Sequence, residues 1–166
     1  WFHDHLPASG VDIENLSASW LGFSLSGPQS RAILASLTTS DVSDRGIPFM
    51  GCASIDVATM PAVVARLSLS GELGYEINLR ASQQHALWQA LLAAGTPLGM
   101  RPIGMRAQDS LRLEKGYGVW SLEFSTSCTP AMAGLARFVA TDKGDFIGRD
   151  AFLSAQAAGP PQHLVL

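Results

Sequence analysis

Between Ser70 and Glu76 the chain reads Ser-Gly-Glu-Leu-Gly-Tyr-Glu, which sets Glu72 and Glu76 four positions apart around two glycines. Glycines at the junction of two strands permit a tight turn or bulge and let a flat ligand approach the backbone. A hairpin carrying two exposed glutamates fits the same spacing. A second candidate is the run from Met105 to Lys115, where Arg106, Asp109 and Arg112 recur at i, i+3 steps on one side of a helix. They form either an ion-pair ladder or a face from which an arginine enters a cleft, where its planar fork suits a carboxylate or polar heterocycle. His3-Asp4-His5 has metal-binding residue types but no further ligands near in sequence, so no metal site is expected. Gly-rich phosphate loops, GxSxG elbows and Cys-His pairings are missing.

Composition sets the limits around these residues. The 166-residue chain is 47% hydrophobic and 15% charged, which suits a globular core rather than disorder. Its net charge of -3, with the arginines scattered, offers no basic stripe for nucleic acid. No apolar run reaches the roughly 18 residues of a membrane span. Cys52 and Cys128 lie in neither a CxxC nor a Cys/His spacing. They are expected as buried small hydrophobes in a reducing, cytoplasmic compartment. The chain starts at Trp1, and its last residues His163 to Leu166 read as a strand with nothing after it. Both ends read as those of a piece of a longer polypeptide.

The elements that must position the candidates follow from periodicity. Residues 20–25 alternate like a strand, and Gly27-Pro28 opens a helix over 28–37 with Ile33, Leu34 and Leu37 on one face. A polar loop covers 41–46. Residues 53–57, 62–69 and 75–79 are β-rich. Ser82 suits the N-cap of a helix over 83–94, with Gly95 as its stop. Another helix spans 104–115, with Lys115 in its last turn and Gly116 beyond it. No repeat or long linker interrupts the chain, which reads as one compact unit. The expected class is α+β, helices on one face of a largely antiparallel sheet.

Three motifs in order carry a resemblance. They are Leu25-x-Gly27-Pro28-Gln29-Ser30-Arg31, then Arg66-x-Ser68-x-x-Gly71-Glu72-Leu73-Gly74-Tyr75-Glu76, then Arg101-Pro102-x-Gly104-x-Arg106-Ala107-x-Asp109-Ser110-Leu111-Arg112 through Tyr117. Together they resemble the folate-binding region of the glycine-cleavage T-protein (aminomethyltransferase) family. Thr129-Pro130-x-x-Ala133-Gly134-Leu135 and Asp142-Lys143-Gly144-Asp145-Phe146-Ile147-Gly148-Arg149 are most similar to the branch fused to FAD-dependent dimethylglycine and sarcosine dehydrogenases. Lys115-Gly116-Tyr117 lacks the cysteine of the branch that maintains iron–sulfur enzymes.

The resemblance implies a domain over 1–166 that binds tetrahydrofolate and takes part in one-carbon transfer. The donor is a small amine or methylene unit, delivered by a fused flavin domain holding FAD or by a lipoyl carrier protein. It implies Glu76 at the pterin edge, where a ring N–H and an exocyclic amine are adjacent donors for two carboxylate oxygens. Tyr75 and Leu69 are implied in the same cofactor-binding set, with Leu69 standing where many relatives have an aromatic residue. Arg106 supplies a complementary donor facing Glu76's cleft, Asp109 and Arg112 brace their helix, and Glu72 supports the turn. The family's catalytic aspartate and C-terminal barrel lie outside the sequence, so the isolated chain is expected to be inactive, with apolar ends exposed at Trp1, Phe2 and Leu164 to Leu166. A module that has kept the fold and lost folate is the alternative that Leu69 favours.

Overall fold

The computed structural model describes residues 1–165. They fall into two compact units, Trp1–Ile103 and a second that begins at Gly104.

The first unit is a four-stranded antiparallel sheet with strand order β1-β4-β3-β2. Its strands are β1 (Trp20–Ser26), β2 (Cys52–Val57), β3 (Met60–Ala65) and β4 (Gly74–Arg80). Alternation in β4 turns Tyr75, Ile77 and Leu79 to one face, each fully buried, and turns Glu76 and Asn78, half-buried, to the other. Met60, Ala62 and Val64 of β3, Leu25 of β1 and Val57 of β2 complete the buried face. Two helices close over it: α1 (Ser30–Ser36) contributes Ile33 and Leu34, and α2 (Gln84–Gly95) contributes Leu87 and Leu91. Phe23 stacks on Trp88 at a 5.6 Å centroid distance, which fastens β1 to α2. Full burial of an aliphatic side chain stabilises by about 1.5–3 kcal/mol, so this face outweighs any single polar contact in the unit. The expected arrangement of helices on one face of an antiparallel sheet is observed.

The boundaries differ from expectation in informative ways. Pro28 lies in the turn before α1, which starts at Ser30. Strand β3 ends at Ala65, and residues 66–73 form a loop. Ser82 belongs to a short 3-10 turn and caps nothing; Gln83 precedes α2 without a side-chain cap. Gly95 is the last residue of α2 and does not stop the chain, which continues through a 3-10 turn to Gly99 at φ 81°. Gly95 is small for a packing reason: a Cβ there would lie 2.5 Å from the Met100 sulfur. The polar loop at 41–46 is pinned by apolar residues, since Val42 and Ile47 are both in the core. Cys52 is exposed on edge strand β2 and Cys128 is half-buried, so neither is the buried hydrophobe that was expected. Cys52 stands on the face of β2 opposite Ala53, Ile55 and Val57, away from the core that α1 and α2 cover.

The second unit contains α3 (Met105–Glu114) and α4 (Arg149–Ala158) joined by turns. Gly116, at φ 70°, ends α3 as expected. Helix α4, not anticipated from the sequence, runs between Gly148 at φ 90° and Gly159. Arg112, on α3, is the second unit's only buried side chain among the described residues. His163 to Val165 form no strand, although the Leu164 amide donates to the Met132 carbonyl at 2.8 Å. Trp1, Phe2, Leu164 and Val165 are exposed, as expected; Leu166 lies outside the described residues.

Candidate functional site

Two of the three motifs meet at one backbone carbonyl. The Leu73 oxygen accepts from the Gly27 amide at 2.8 Å and from the Ser30 hydroxyl at 3.0 Å, and Ser30 is 1% exposed. Thus the turn that opens α1 clasps the loop that delivers β4. One residue after Ser30 and two after Leu73, Arg31 Nε donates to the Tyr75 hydroxyl at 3.0 Å, and that hydroxyl donates to the Val42 carbonyl at 3.2 Å. Arg31 also pairs with Asp44, which binds Arg66 Nη1 at 2.7 Å. Asp44 therefore ties α1 to the residue that opens the second motif. The hydrogen bond from Arg31, reinforced by the charges of Arg31 and Arg66, holds the Asp44 carboxyl below its usual range.

The loop itself folds back on the sheet. Gly71, at φ 75°, takes a left-handed conformation that a side chain disfavours. Gly74 stands on Glu76's face, where a Cβ would come within 2.8 Å of the Leu67 carbonyl and 2.9 Å of the Ser68 Cβ. Leu67 and Ser68 consequently cross that face two residues from Glu76. Arg66, Ser68, Gly71, Glu72, Gly74 and Phe49 help line a cleft of about 260 Å³.

Glu76 projects from the face away from the helices, opposite Ser24 on β1 and Ala65 on β3. Its neighbours there are mostly small: Gly22, Ser24 and Ser26 on β1, Gly74 beside it on β4 and Ala65 on β3, with Cys52 and Ser54 farther out on β2; Asn78 on β4 and Val63 on β3 are the larger ones. Such a surface admits a flat ligand, and its carboxylate makes no hydrogen bond or ion pair within the described residues. Tyr75, as the preceding strand residue, points the opposite way and is fully buried, with its hydroxyl occupied by Arg31 and Val42. Leu69 is 37% exposed on the loop. Arg106, in the first turn of α3, belongs to the other unit and is exposed.

Of the expected arginine ladder, only the second half forms. Arg112 Nε donates to Asp109 at 3.0 Å, while its Nη1 donates to the Tyr117 carbonyl at 3.0 Å and to both Glu123 oxygens at 3.1 and 3.0 Å. Glu123 also accepts from the Val119 amide at 3.0 Å, and this hydrogen bond, followed by Arg112, lowers its carboxyl below the ordinary range. Arg112 thus braces the loop after α3, and Arg106 stays outside the ladder. Sequence reasoning missed Glu123 and Asp44, because both pairings join residues more than ten positions apart in irregular segments. His3 and His5 lie in a short 3-10 turn, with His5 stacked on Trp1 at 4.0 Å. No group of three or more metal-ligating side chains is found among the described residues. None of their helices is long and apolar enough to cross a membrane.

The sequence matches the family model described as the GCVT N-terminal domain over residues 1–143. It is 35% identical to human mitochondrial dimethylglycine dehydrogenase over 168 aligned residues, covering 99% of this chain and 19% of that protein. It is 43% identical to an aminomethyltransferase of Streptomyces avermitilis over 143 residues, covering 84% of this chain and 38% of that one. The fold is similar to that of the glycine cleavage system aminomethyltransferase T from Bartonella henselae, with a TM-score of 0.71 and 29% identity over 85% of this chain and 37% of that one. The chain spans less than half the length of each of these relatives. With the three motifs and the α+β sheet on which two of them converge, these matches establish that the chain belongs to the GCVT, or aminomethyltransferase-type, domain family.

Proposed function

We propose that the chain is the tetrahydrofolate-binding domain of an enzyme that transfers one-carbon units, as part of a dimethylglycine- or sarcosine-dehydrogenase-like flavoprotein. The observation that supports this reading best is the uncommitted Glu76 carboxylate on a face of mostly small residues, fixed in place by the Gly27–Ser30 clasp on Leu73. An ionised carboxylate there accepts two hydrogen bonds from the ring N–H and exocyclic amine of a pterin. Leu69 contributes an apolar contact, and Tyr75, buried behind the strand, holds its register. The domain's part in catalysis is positioning: it fixes the folate nitrogen that receives the one-carbon unit, which lowers the entropic cost of meeting the donor. The donor is a small amine or methylene unit, made by FAD held on another domain. The two cysteines, both free among the described residues, suit a cytoplasmic enzyme.

A second reading, a stand-alone aminomethyltransferase acting with a lipoyl carrier protein, is favoured by the 43% identity to the Streptomyces enzyme. A GxGxxG fingerprint elsewhere in the full-length gene selects the flavoprotein. For both readings the decisive test is calorimetric titration of the full-length chain with tetrahydrofolate. Binding that falls by about 1–3 kcal/mol in Glu76→Gln is expected, since one acceptor becomes a donor facing a donor. Saturable binding that ignores Glu76→Gln removes the assigned site, and no binding removes both readings in favour of a module without folate.

A further inference from the structure

We infer that Asn78 is a specificity-determining residue of the folate site, reading the carbonyl next to the pterin ring N–H that Glu76 engages; this rests on the folate reading above. Asn78 follows Glu76 by two positions on β4, so the two side chains leave the same face about 7 Å apart along the strand. Both are half-buried, and neither is held by a hydrogen bond or ion pair within the described residues. Amides placed in the middle of a sheet are ordinarily satisfied by neighbours. This one is left available.

Space for the amide is built into the opposing strand. Gly22 pairs directly with Asn78, and a Cβ at Gly22 would run into Asn78 Oδ1. The missing side chain lets the amide lie across β1. Gly22 is not in a left-handed conformation, so its backbone does not require glycine. A side chain at this position would force the Asn78 amide out of this placement.

The chemistry then matches an edge with three polar groups in a row. The exocyclic amine and ring N–H of a 2-amino-4-oxo ring donate to the two Glu76 oxygens, and the adjacent carbonyl accepts from Asn78 Nδ2. A carboxylate alone distinguishes poorly between rings that share the two donors. The amide adds the acceptor test, because a ring lacking the carbonyl leaves a buried donor unpaired.

The test is equilibrium titration of tetrahydrofolate into the full-length chain and into Asn78→Ala, Asn78→Asp, Gly22→Ala and the double variant Gly22→Ala/Asn78→Ala, with Glu76→Gln as reference and thermal melts alongside. Asn78→Ala is expected to weaken binding about tenfold, and Asn78→Asp, which sets an acceptor against the carbonyl, by more. Gly22→Ala should reproduce the Asn78→Ala loss and add nothing to it in the double variant, since both remove the same placed amide. Should Gly22→Ala fail to fold, Asn78→Asp, equal in size to the native residue, carries the test. Affinity within twofold of the unaltered chain in both Asn78 variants, with loss in Glu76→Gln, overturns the role of Asn78 and leaves the folate reading standing. Absence of binding to the unaltered chain overturns both.

Discussion

Removing a single oxygen by Tyr75→Phe separates a structural role for the second motif's tyrosine from a ligand contact. Tyr75 is fully buried, and its hydroxyl joins two partners of different character. One is Arg31 Nε at 3.0 Å, on a side chain that is 33% exposed and can turn to water and Asp44 when the hydroxyl is gone. The other is the Val42 carbonyl at 3.2 Å, on a residue that is 4% exposed and has no such recourse. Leaving a buried acceptor unsatisfied costs about 1–3 kcal/mol, and the ring itself still fills its place, so no cavity term is added. The expected loss is therefore about 2 kcal/mol, carried almost wholly by Val42. For a chain of this size that lowers the melting temperature by roughly 4–8 °C. Chemical denaturation with urea should move the midpoint without changing the slope. Val42 also carries the 41–46 loop into the core, so hydrogen exchange in that loop should rise together with the loss. Tetrahydrofolate affinity at a temperature where the variant is folded should stay within about threefold of the unaltered chain, because the hydroxyl points away from Glu76's face. A variant of unchanged stability that binds folate tenfold more weakly would refute the assignment of Tyr75 to the core and return it to the ligand.

Three further outcomes follow from particular contacts. Arg112→Lys keeps the charge but cannot span Asp109, Glu123 and the Tyr117 carbonyl at once, so hydrogen exchange should quicken at Val119 and along residues 117–123 while the first unit's protection is unchanged. Asp44 is held below its usual range in the folded chain, so the unfolded chain takes up the proton first as pH falls. Its contribution to stability is complete above the ordinary carboxylate pKa of about 4 and is lost below it; Asp44→Asn should therefore lower stability near neutrality and flatten the pH dependence of stability in the acid window. Cys52, exposed on the edge strand, should react with a thiol reagent in the native chain well before half-buried Cys128, as read by mass spectrometry after partial labelling.

What the sequence alone determined here was whatever is local in physical origin. The alternation of Tyr75, Ile77 and Leu79 fixed which side of β4 faces the helices, and hence that Glu76 faces the other way, because side chains alternate strictly along a strand. The recurrence of Leu87 and Leu91 fixed the buried side of α2. Gly116 ended α3 where a left-handed residue was needed. Gly148 and the Gly159-Pro160 pair bracket α4 with the same kind of signal, although Phe152 and Leu153 are the only large apolar residues between them, too few to declare a helix. The β2–β3 hairpin shows the limit of local signals. Its turn residues Ala58 and Thr59 both take positive φ without an Asn-Gly pair, while Ala58 N–H donates to the Leu37 carbonyl beyond α1 at 2.6 Å. Only tertiary structure decided the partnerships that need distant segments together. These are Ser30 with Leu73 across 43 positions, Arg31 and Arg66 with Asp44, Arg112 with Glu123, and Gly22 with Asn78. Polar groups of this kind carry no periodicity, and their choice of partner depends on which strands become neighbours and which surfaces lose water.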